Sequence, residues 1–245
     1  MYDVVVARYN ESLDWLERLT PEQKSHIKVY NKGPDDLPYP VTEKLPNVGR
    51  EGHTYLWYII QNYESLPDYV IFMQANPFDH FKFGPEDMSD VLSEWLRVTK
   101  WYGITSGMKA REFGHDTTRE FRIKEYKGIL YQSSFNFGEW MDEFVEKDVC
   151  PPKTIHGCGF FGVSRKLIKT RSVEYYKKIL DDLAVHNNPE SGHYLERSWH
   201  YIFNGHKHSP VIPKLKWLTI IFLLIFIGIQ LSREVISFRG TNEFL

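Results

Sequence analysis

The stretch YVIFMQANPFDHF, residues 69–81, indicates most directly how this chain folds. Its first five residues form an uninterrupted apolar run with the length and the β-branched and aromatic content of a buried strand. Four polar side chains follow the run within seven positions, namely Gln74, Asn76, Asp79 and His80. Ligands of parallel sheets bind beyond the carboxyl ends of the strands. The stretch therefore predicts a strand that ends at a site.

Two earlier segments repeat this arrangement of a strand followed by polar residues. The runs DVVVA, residues 3–7, and IKVYN, residues 27–31, lead into RYNE and NKGPDD. Between residues 47 and 66 the apolar positions recur with helical spacing, and the next strand follows. Strands alternating with helices predict a single α/β domain over residues 1–210, with a mostly parallel central sheet flanked by helices.

The polar segments after the three strands meet at one edge if the sheet is parallel. The sequence NVGRE adds a helix start, where Gly49 permits close backbone approach and Arg50 can hold a phosphate with two hydrogen bonds. A diphosphate is the expected occupant. The candidate binding residues are Arg8, Asn10, Glu11, Lys32, Asn47, Gly49, Arg50 and Gln74. The alternative for each segment is ordinary turn chemistry, which uses the same residue types.

Composition excludes several classes of protein. The 245 residues are 42% apolar and 25% charged, which is too hydrophobic for a disordered chain. The net charge of -2 is spread along the chain, so no basic stripe predicts a nucleic-acid partner. Cys150 and Cys158 lack the spacing of a zinc site, and we expect them to be buried thiols in a reducing compartment.

An uncharged apolar run, WLTIIFLLIFIGIQL, occupies residues 217–231. As a helix it would extend about 22 Å, and flanking lysines and an interfacial tryptophan could compensate for that short length in a bilayer. We expect residues 214–233 to be a membrane anchor and residues 234–245 a short tail; a core or partner-binding helix is the alternative. No signal-peptide pattern precedes the first strand, so we expect a membrane-associated domain that faces the cytosol.

The helical stretch SGHYLERSWHYIF, residues 191–203, carries four polar side chains at one-turn spacing. They are His193, Glu196, Arg197 and His200. A carboxylate beside imidazoles can act as a general base near neutral pH, and the same residue types can hold a metal ion. The third interpretation is a solvated helix face with a weak Glu196–His200 pair.

Four motifs resemble an uncharacterised, glycosyltransferase-like family of fungi, algae and large DNA viruses. They are VVVARYNESLDWL, LPNVGREGHTYLWYII, DYVIFMQANPFDH and GFFGVSRKLI with ERSWHYIF, and the resemblance covers about residues 3–205. A looser likeness connects the first half to GT-A glycosyltransferases, whose corresponding strand ends in a metal-binding D-x-D. Gln74-Ala75-Asn76 occupies that position here. Asp79 and His80 are the candidate ligands for Mn²⁺ or Mg²⁺, and the alternative is neutralisation of the phosphates by cationic side chains such as Arg8 and Lys32.

The resemblance implies a glycosyltransferase that takes a nucleotide-sugar donor and a glycan or glycoconjugate acceptor. Glu196, His200 and Glu139 are then the catalytic candidates, and His156, His193 and Arg197 the acceptor-binding candidates. The aromatic-rich residues 101–144 offer flat surfaces for sugars, although most such rings belong to cores. The alternative function is a non-catalytic carbohydrate-binding or membrane scaffold protein that keeps the fold.

Overall fold

A computed structural model describes residues 1–78, 83–106, 111–112, 129–145, 154–155 and 159–204. The strands are β1 Tyr2–Arg8, β2 Ile27–Asn31, β3 Glu43–Lys44, β4 Tyr69–Gln74, β5 Ile104–Ser106, β6 Arg111–Glu112, β7 Thr154–Ile155 and β8 Phe161–Ser164. The helices are α1 Pro21–Ser25, α2 Arg50–Gln61, α3 Met88–Tyr102, α4 Phe137–Phe144, α5 Arg165–Ile168, α6 Val173–Leu183 and α7 Glu190–Asn204. Short 3₁₀ helices occupy Asp14–Arg18 and Pro85–Asp87.

The central sheet has six strands in the order β3-β2-β1-β4-β8-β5. The pairs β1–β2, β1–β4 and β2–β3 are parallel, whereas β8 runs antiparallel to both β4 and β5. β6 and β7 form a separate antiparallel pair. The prediction of an α/β domain with a helix-flanked sheet is confirmed, and the antiparallel β8 makes the sheet a mixed one.

The strand order reverses between β1 and β4. From β1 the chain proceeds to β2 and β3 on one side and then returns to β4 on the other, with Ala7 opposite Gln74 at the carboxyl ends. Such a topological switch point opens a crevice outside the sheet, which is where open α/β sheets bind ligands. The polar residues after β1, β2 and β4 border this crevice.

Apolar periodicity explains why α2 and α7 pack onto the sheet. Valines fill the middle of β1 and are buried, as the apolar run of β4 is. Tyr55 of α2 packs on Phe72, Phe72 on Phe161, and Phe161 on Trp199 of α7, with ring centroids 4.9, 5.1 and 5.1 Å apart. Because this aromatic core joins both helices to adjacent strands, it fixes where their polar ends lie.

The predicted anchor and tail, residues 214–245, lie outside the described residues. All residues that the structure describes belong to one unit, Met1–Val211. Within that part of the chain, no helix combines the length and the hydropathy that crossing a bilayer requires.

Candidate functional site

The amino end of α2 is the centre of the candidate site. Gly49 and Arg50 both have left-handed backbone conformations, with φ of 61° and 51°, and Arg50 is the one non-glycine residue with positive φ in the described part of the chain. A Cβ on Gly49 would come within 2.8 Å of the His53 Cβ and 3.0 Å of the Leu183 Cβ. The turn therefore requires glycine, and strain of this kind concentrates at functional sites.

Lys32, which follows β2, stabilises this turn through hydrogen bonds. Its Nζ donates to the carbonyl oxygens of Val48 and Arg50 at 2.6 and 2.5 Å. The side chain is buried, and burial lowers the pKa of Lys32 to about 7 although the nearby Glu51 carboxylate acts in the opposite direction. Lys32 is thus a partly desolvated cation whose charge changes close to neutral pH.

The Arg50 side chain connects α2 to α7. Its Nη1 lies 3.2 Å from His193 Nε2 and 3.4 Å from Asn188 Oδ1, and its Nε lies 3.5 Å from Glu51 Oε2. The side chain keeps 27% of its surface exposed. The Arg50 side chain, which the sequence predicts as an anion ligand, is therefore held in place by protein groups and is still partly exposed to solvent.

Glu51 is a site residue that the sequence analysis missed. Its side chain is only 11% exposed and lies against Gly159 and Gln74: a Cβ on Gly159 would come within 3.1 Å of Glu51 Oε1 and 3.2 Å of Gln74 Nε2. Burial acts to raise the pKa of Glu51, but Arg50, its own backbone N–H, Gln74 and Lys32 together outweigh burial and lower it. The carboxylate is ionised at neutral pH. The sequence carried one indication of this burial. Glu51 precedes the buried Tyr55 by four residues, and residues i and i+4 lie on the same face of a helix.

The guanidinium of Arg8 forms hydrogen bonds with acceptors of the protein itself. Its guanidinium donates to Glu11 O, Asn31 Oδ1, Pro34 O and Asp36 Oδ1 at 3.1, 3.1, 2.9 and 2.7 Å. The Arg8 side chain is 3% exposed, whereas that of Asp36 is 57% exposed. Arg8 thus ties the segments after β1 and β2 together at the rim of the crevice.

The remaining rim residues show turn chemistry. Glu11 Oε2 accepts from the backbone N–H groups of Tyr9 and Asn10 at 2.8 and 3.1 Å. The side chains of Asn10 and Asn47 are exposed, and within the described part of the chain neither forms a hydrogen bond with Arg50 or Glu51. These three residues stay predictions as ligand contacts.

The strand predicted at the start of residues 69–81 is present as β4. Gln74 closes β4 beside Glu51, and Ala75 accepts the indole N–H of Trp15 on its carbonyl oxygen at 2.8 Å. Asn76 Oδ1 accepts from Phe78 N at 3.2 Å, which is a local turn contact. The predicted metal ligands Asp79 and His80 lie outside the described residues. No group of three or more potential metal ligands occurs in the part of the chain that is described.

The predicted helix over residues 191–203 is present as α7, and its polar residues are not a solvated face. His193, Arg197 and His200 are 2%, 6% and 5% exposed, and Glu196 is half-buried. Arg197 Nη1 donates to the carbonyl oxygen of His193 at 2.6 Å. Through its contact with Arg50, His193 brings α7 into the candidate site, whereas His200 lies about 10 Å further along the helix axis.

Two other predicted residues lie away from this group or outside the described residues. Glu139 is exposed in the first turn of α4, where its Oε2 accepts from Asn136 N at 2.8 Å in a capping box. His156 lies outside the described residues. Conversely, the structure adds His53 and Asn188, which sequence patterns did not indicate. Burial lowers the pKa of His53 to about 4, with a further contribution from Lys32.

The fold and the site together define an α/β protein whose charged cluster lies at the switch point of a mixed sheet. The chain belongs to the family described as "Protein of unknown function (DUF3431)", which matches residues 4–214. Comparison with the curated proteins gave no match, and comparison with the solved structures gave none either.

Proposed function

We propose that the protein is a glycosyltransferase that moves a sugar from a nucleotide-diphosphate donor to a hydroxyl group of a glycan or glycoconjugate. The observation that carries the proposal is the strained Gly49–Arg50 turn at the switch point, with Lys32 and Arg50 as cations and Glu51 as a buried carboxylate. This cluster lies where open α/β sheets bind nucleotides, and it lies at a helix amino end, which favours anions.

Arg50 is the proposed contact to the diphosphate. Its side chain is partly exposed, and its contact to Asn188 Oδ1 at 3.4 Å is longer than its contact to His193 Nε2 at 3.2 Å. A phosphate oxygen that replaced Asn188 would form a shorter, charge-assisted bond. Lys32 supports this function indirectly, because its bonds to Val48 O and Arg50 O hold the turn that aims the arginine.

Glu51 and Gln74 are the proposed contacts to the donor sugar. Sugar hydroxyls donate and accept hydrogen bonds, and an ionised carboxylate beside an amide offers both kinds of partner. Gly159 packs closely on both side chains and helps to fix their positions, because a Cβ there would come within 3.1 Å of Glu51 and 3.2 Å of Gln74. The half-buried Glu196 remains the proposed base for the acceptor hydroxyl, with His200 and Glu139 as the other candidates, and Asp79 and His80 remain the proposed ligands of Mn²⁺ or Mg²⁺.

One observation favours a second function, that of a carbohydrate-binding or scaffold protein without turnover. The guanidinium of Arg8 and the amine of Lys32 already bond to protein acceptors, so part of the positive charge at the rim stabilises the fold. A binding protein needs a shaped site but does not need the charge that develops on a leaving diphosphate to be neutralised.

Calorimetry with uridine and guanosine diphosphate, each with Mn²⁺ and with chelator, tests the proposal. Arg50→Ala should weaken diphosphate binding by about 1.5–3 kcal/mol, the range for a hydrogen bond to a charged group. Arg18→Ala is the matched control, because Arg18 is exposed in the 3₁₀ helix Asp14–Arg18. If the unaltered protein binds neither diphosphate, the donor site is refuted. If it binds a nucleotide sugar but transfers the sugar to no glycan acceptor and so releases no nucleoside diphosphate, the scaffold function is the correct one.

A further inference from the structure

A cavity of about 530 Å³ lies at the opposite edge of the sheet, where β4 begins, β8 ends and α3 passes into β5. This volume is within the range of sites that hold small ligands or headgroups. The residues that line it include Asp68, Lys100, Trp101, Tyr102, Arg165 and Lys166. None of these residues belongs to the candidate site at the carboxyl ends.

The charge of this cavity is positive. Three of the residues that line it, Lys100, Arg165 and Lys166, are cationic, and one, Asp68, is acidic. Arg165 is paired with Asp68 at 2.6 Å and also donates to the carbonyl oxygen of Leu66. Lys100 and Lys166 make no ion pair or hydrogen bond with any residue that the structure describes, and both are exposed. Two positive charges are therefore left to attract an anion.

Two aromatic side chains project beside these lysines. Trp101 is 76% exposed and Tyr102 is 62% exposed, although both end a helix in which Leu92, Trp95 and Leu96 are buried. Tryptophan, tyrosine and lysine occur together at membrane interfaces, where the rings lie at the level of the headgroups. Interfaces with other proteins also favour these rings but are depleted in lysine. The composition therefore favours a lipid surface over a protein partner.

We propose that Lys100, Trp101, Tyr102 and Lys166 form a lipid-binding patch that docks on membranes rich in anionic phospholipids. The ammonium groups contact headgroup phosphates and carboxylates, and the two rings enter the interface. Each lysine near an anionic surface adds to the free energy of membrane binding. The proposal is independent of the proposed function, because none of the four residues belongs to the site around Arg50. The apolar residues 217–231 are a separate reason, from sequence, to expect the chain at a membrane.

Binding of the full chain to phosphatidylcholine vesicles, with and without phosphatidylserine, tests the patch. Lys100→Ala/Lys166→Ala should reduce the additional binding that phosphatidylserine produces by roughly 25-fold, at about fivefold per lysine. Binding to phosphatidylcholine alone, to which residues 217–231 can contribute, should change much less. Arg18→Ala/Lys177→Ala is the control, since it removes the same charge from exposed positions outside the patch.

Lipids brominated in their acyl chains give a second measurement. They should quench tryptophan emission in the unaltered protein, and Trp101→Phe should lose part of that quenching. An equal phosphatidylserine response in the patch variant and the control would overturn the proposal. It would also be overturned if soluble glycerophosphoserine displaced the protein from vesicles at low concentration, because the cavity would then be a site for a small anion.

Discussion

Replacing Gly49 with alanine tests whether the left-handed turn at the start of α2 requires glycine, and a second glycine serves as the control for packing. The backbone at Gly49 has φ of 61°, and a left-handed conformation costs an L-residue roughly 1–2 kcal/mol. The new Cβ would also lie 2.8 Å from His53 Cβ and 3.0 Å from Leu183 O, an overlap that typically costs about 1–3 kcal/mol. The reduced entropy of the unfolded chain returns about 0.4–1 kcal/mol. Gly49→Ala should therefore destabilise the protein by about 2–4 kcal/mol.

Gly192→Ala is a matched control for this change. Gly192 lies within α7, and its added Cβ would meet Arg50 Cδ at 3.5 Å and Pro189 Cγ at 3.6 Å, which are ordinary contacts. The same methyl group at a helical position should be stabilising by about 0.5–1 kcal/mol. Both positions adjoin Arg50, so a general disturbance of that side chain would affect the two variants alike.

Urea unfolding followed by circular dichroism measures both variants. At about 2–4 °C per kcal/mol for a chain of this size, Gly49→Ala should also lower the melting temperature by about 5–15 °C. Equal stability of Gly49→Ala and the unaltered protein would refute the left-handed turn at the start of α2. An equal loss in Gly192→Ala would show that contact with Arg50, and not backbone conformation, determines the cost.

Two further predictions concern the buried cations. Because burial lowers the pKa of Lys32 to about 7 from its usual 10.5, the unfolded chain binds more protons than the folded one between these values. Stability should therefore rise with pH across that window by on the order of 5 kcal/mol, and Lys32→Met but not Lys177→Met should abolish the rise in urea unfolding. Arg8→Met should cost about 2–4 kcal/mol in the same assay, since it removes the hydrogen bonds of a buried guanidinium to Glu11 O, Asn31 Oδ1 and Pro34 O. Asp36→Asn should cost less than about 1 kcal/mol, because the Asp36 carboxylate is mostly solvated; equal costs would mean that the ion pair, and not the buried hydrogen bonds, is what Arg8 contributes.

Local patterns were sufficient to predict several elements of the fold. The apolar runs 3–7, 27–31 and 69–73 correspond to β1, β2 and β4, and the helical spacing before β4 corresponds to α2. These predictions succeed because a buried strand or a buried helix face produces a recognisable pattern of apolar residues within a short stretch of sequence. The direction of β8 is not recorded in this way, since a short apolar run is compatible with either orientation beside β4.

The site was less predictable because its contacts connect distant parts of the chain. Arg50 was correctly placed at a helix start, but its partners Asn188 and His193 come from the other end of the domain. Glu51 lies against Gly159, which is more than 100 residues away in the sequence. Trp101 and Tyr102 were grouped with an acceptor side by their composition, and the structure places them at the opposite edge of the sheet.

The placement of the two surfaces has a consequence for orientation at a membrane. Tyr69 borders the lipid-binding patch and begins β4, and Gln74 ends the same strand beside Glu51. Five steps along a strand span about 17 Å. Exposed charges are largely screened beyond a Debye length of about 8 Å at physiological salt, so anionic lipids at the patch exert little direct effect on Arg50 or Lys32. The rigid β4 strand would instead direct the candidate site away from the docked bilayer. An acceptor that reaches this site would therefore approach from the solvent or extend well beyond the headgroups.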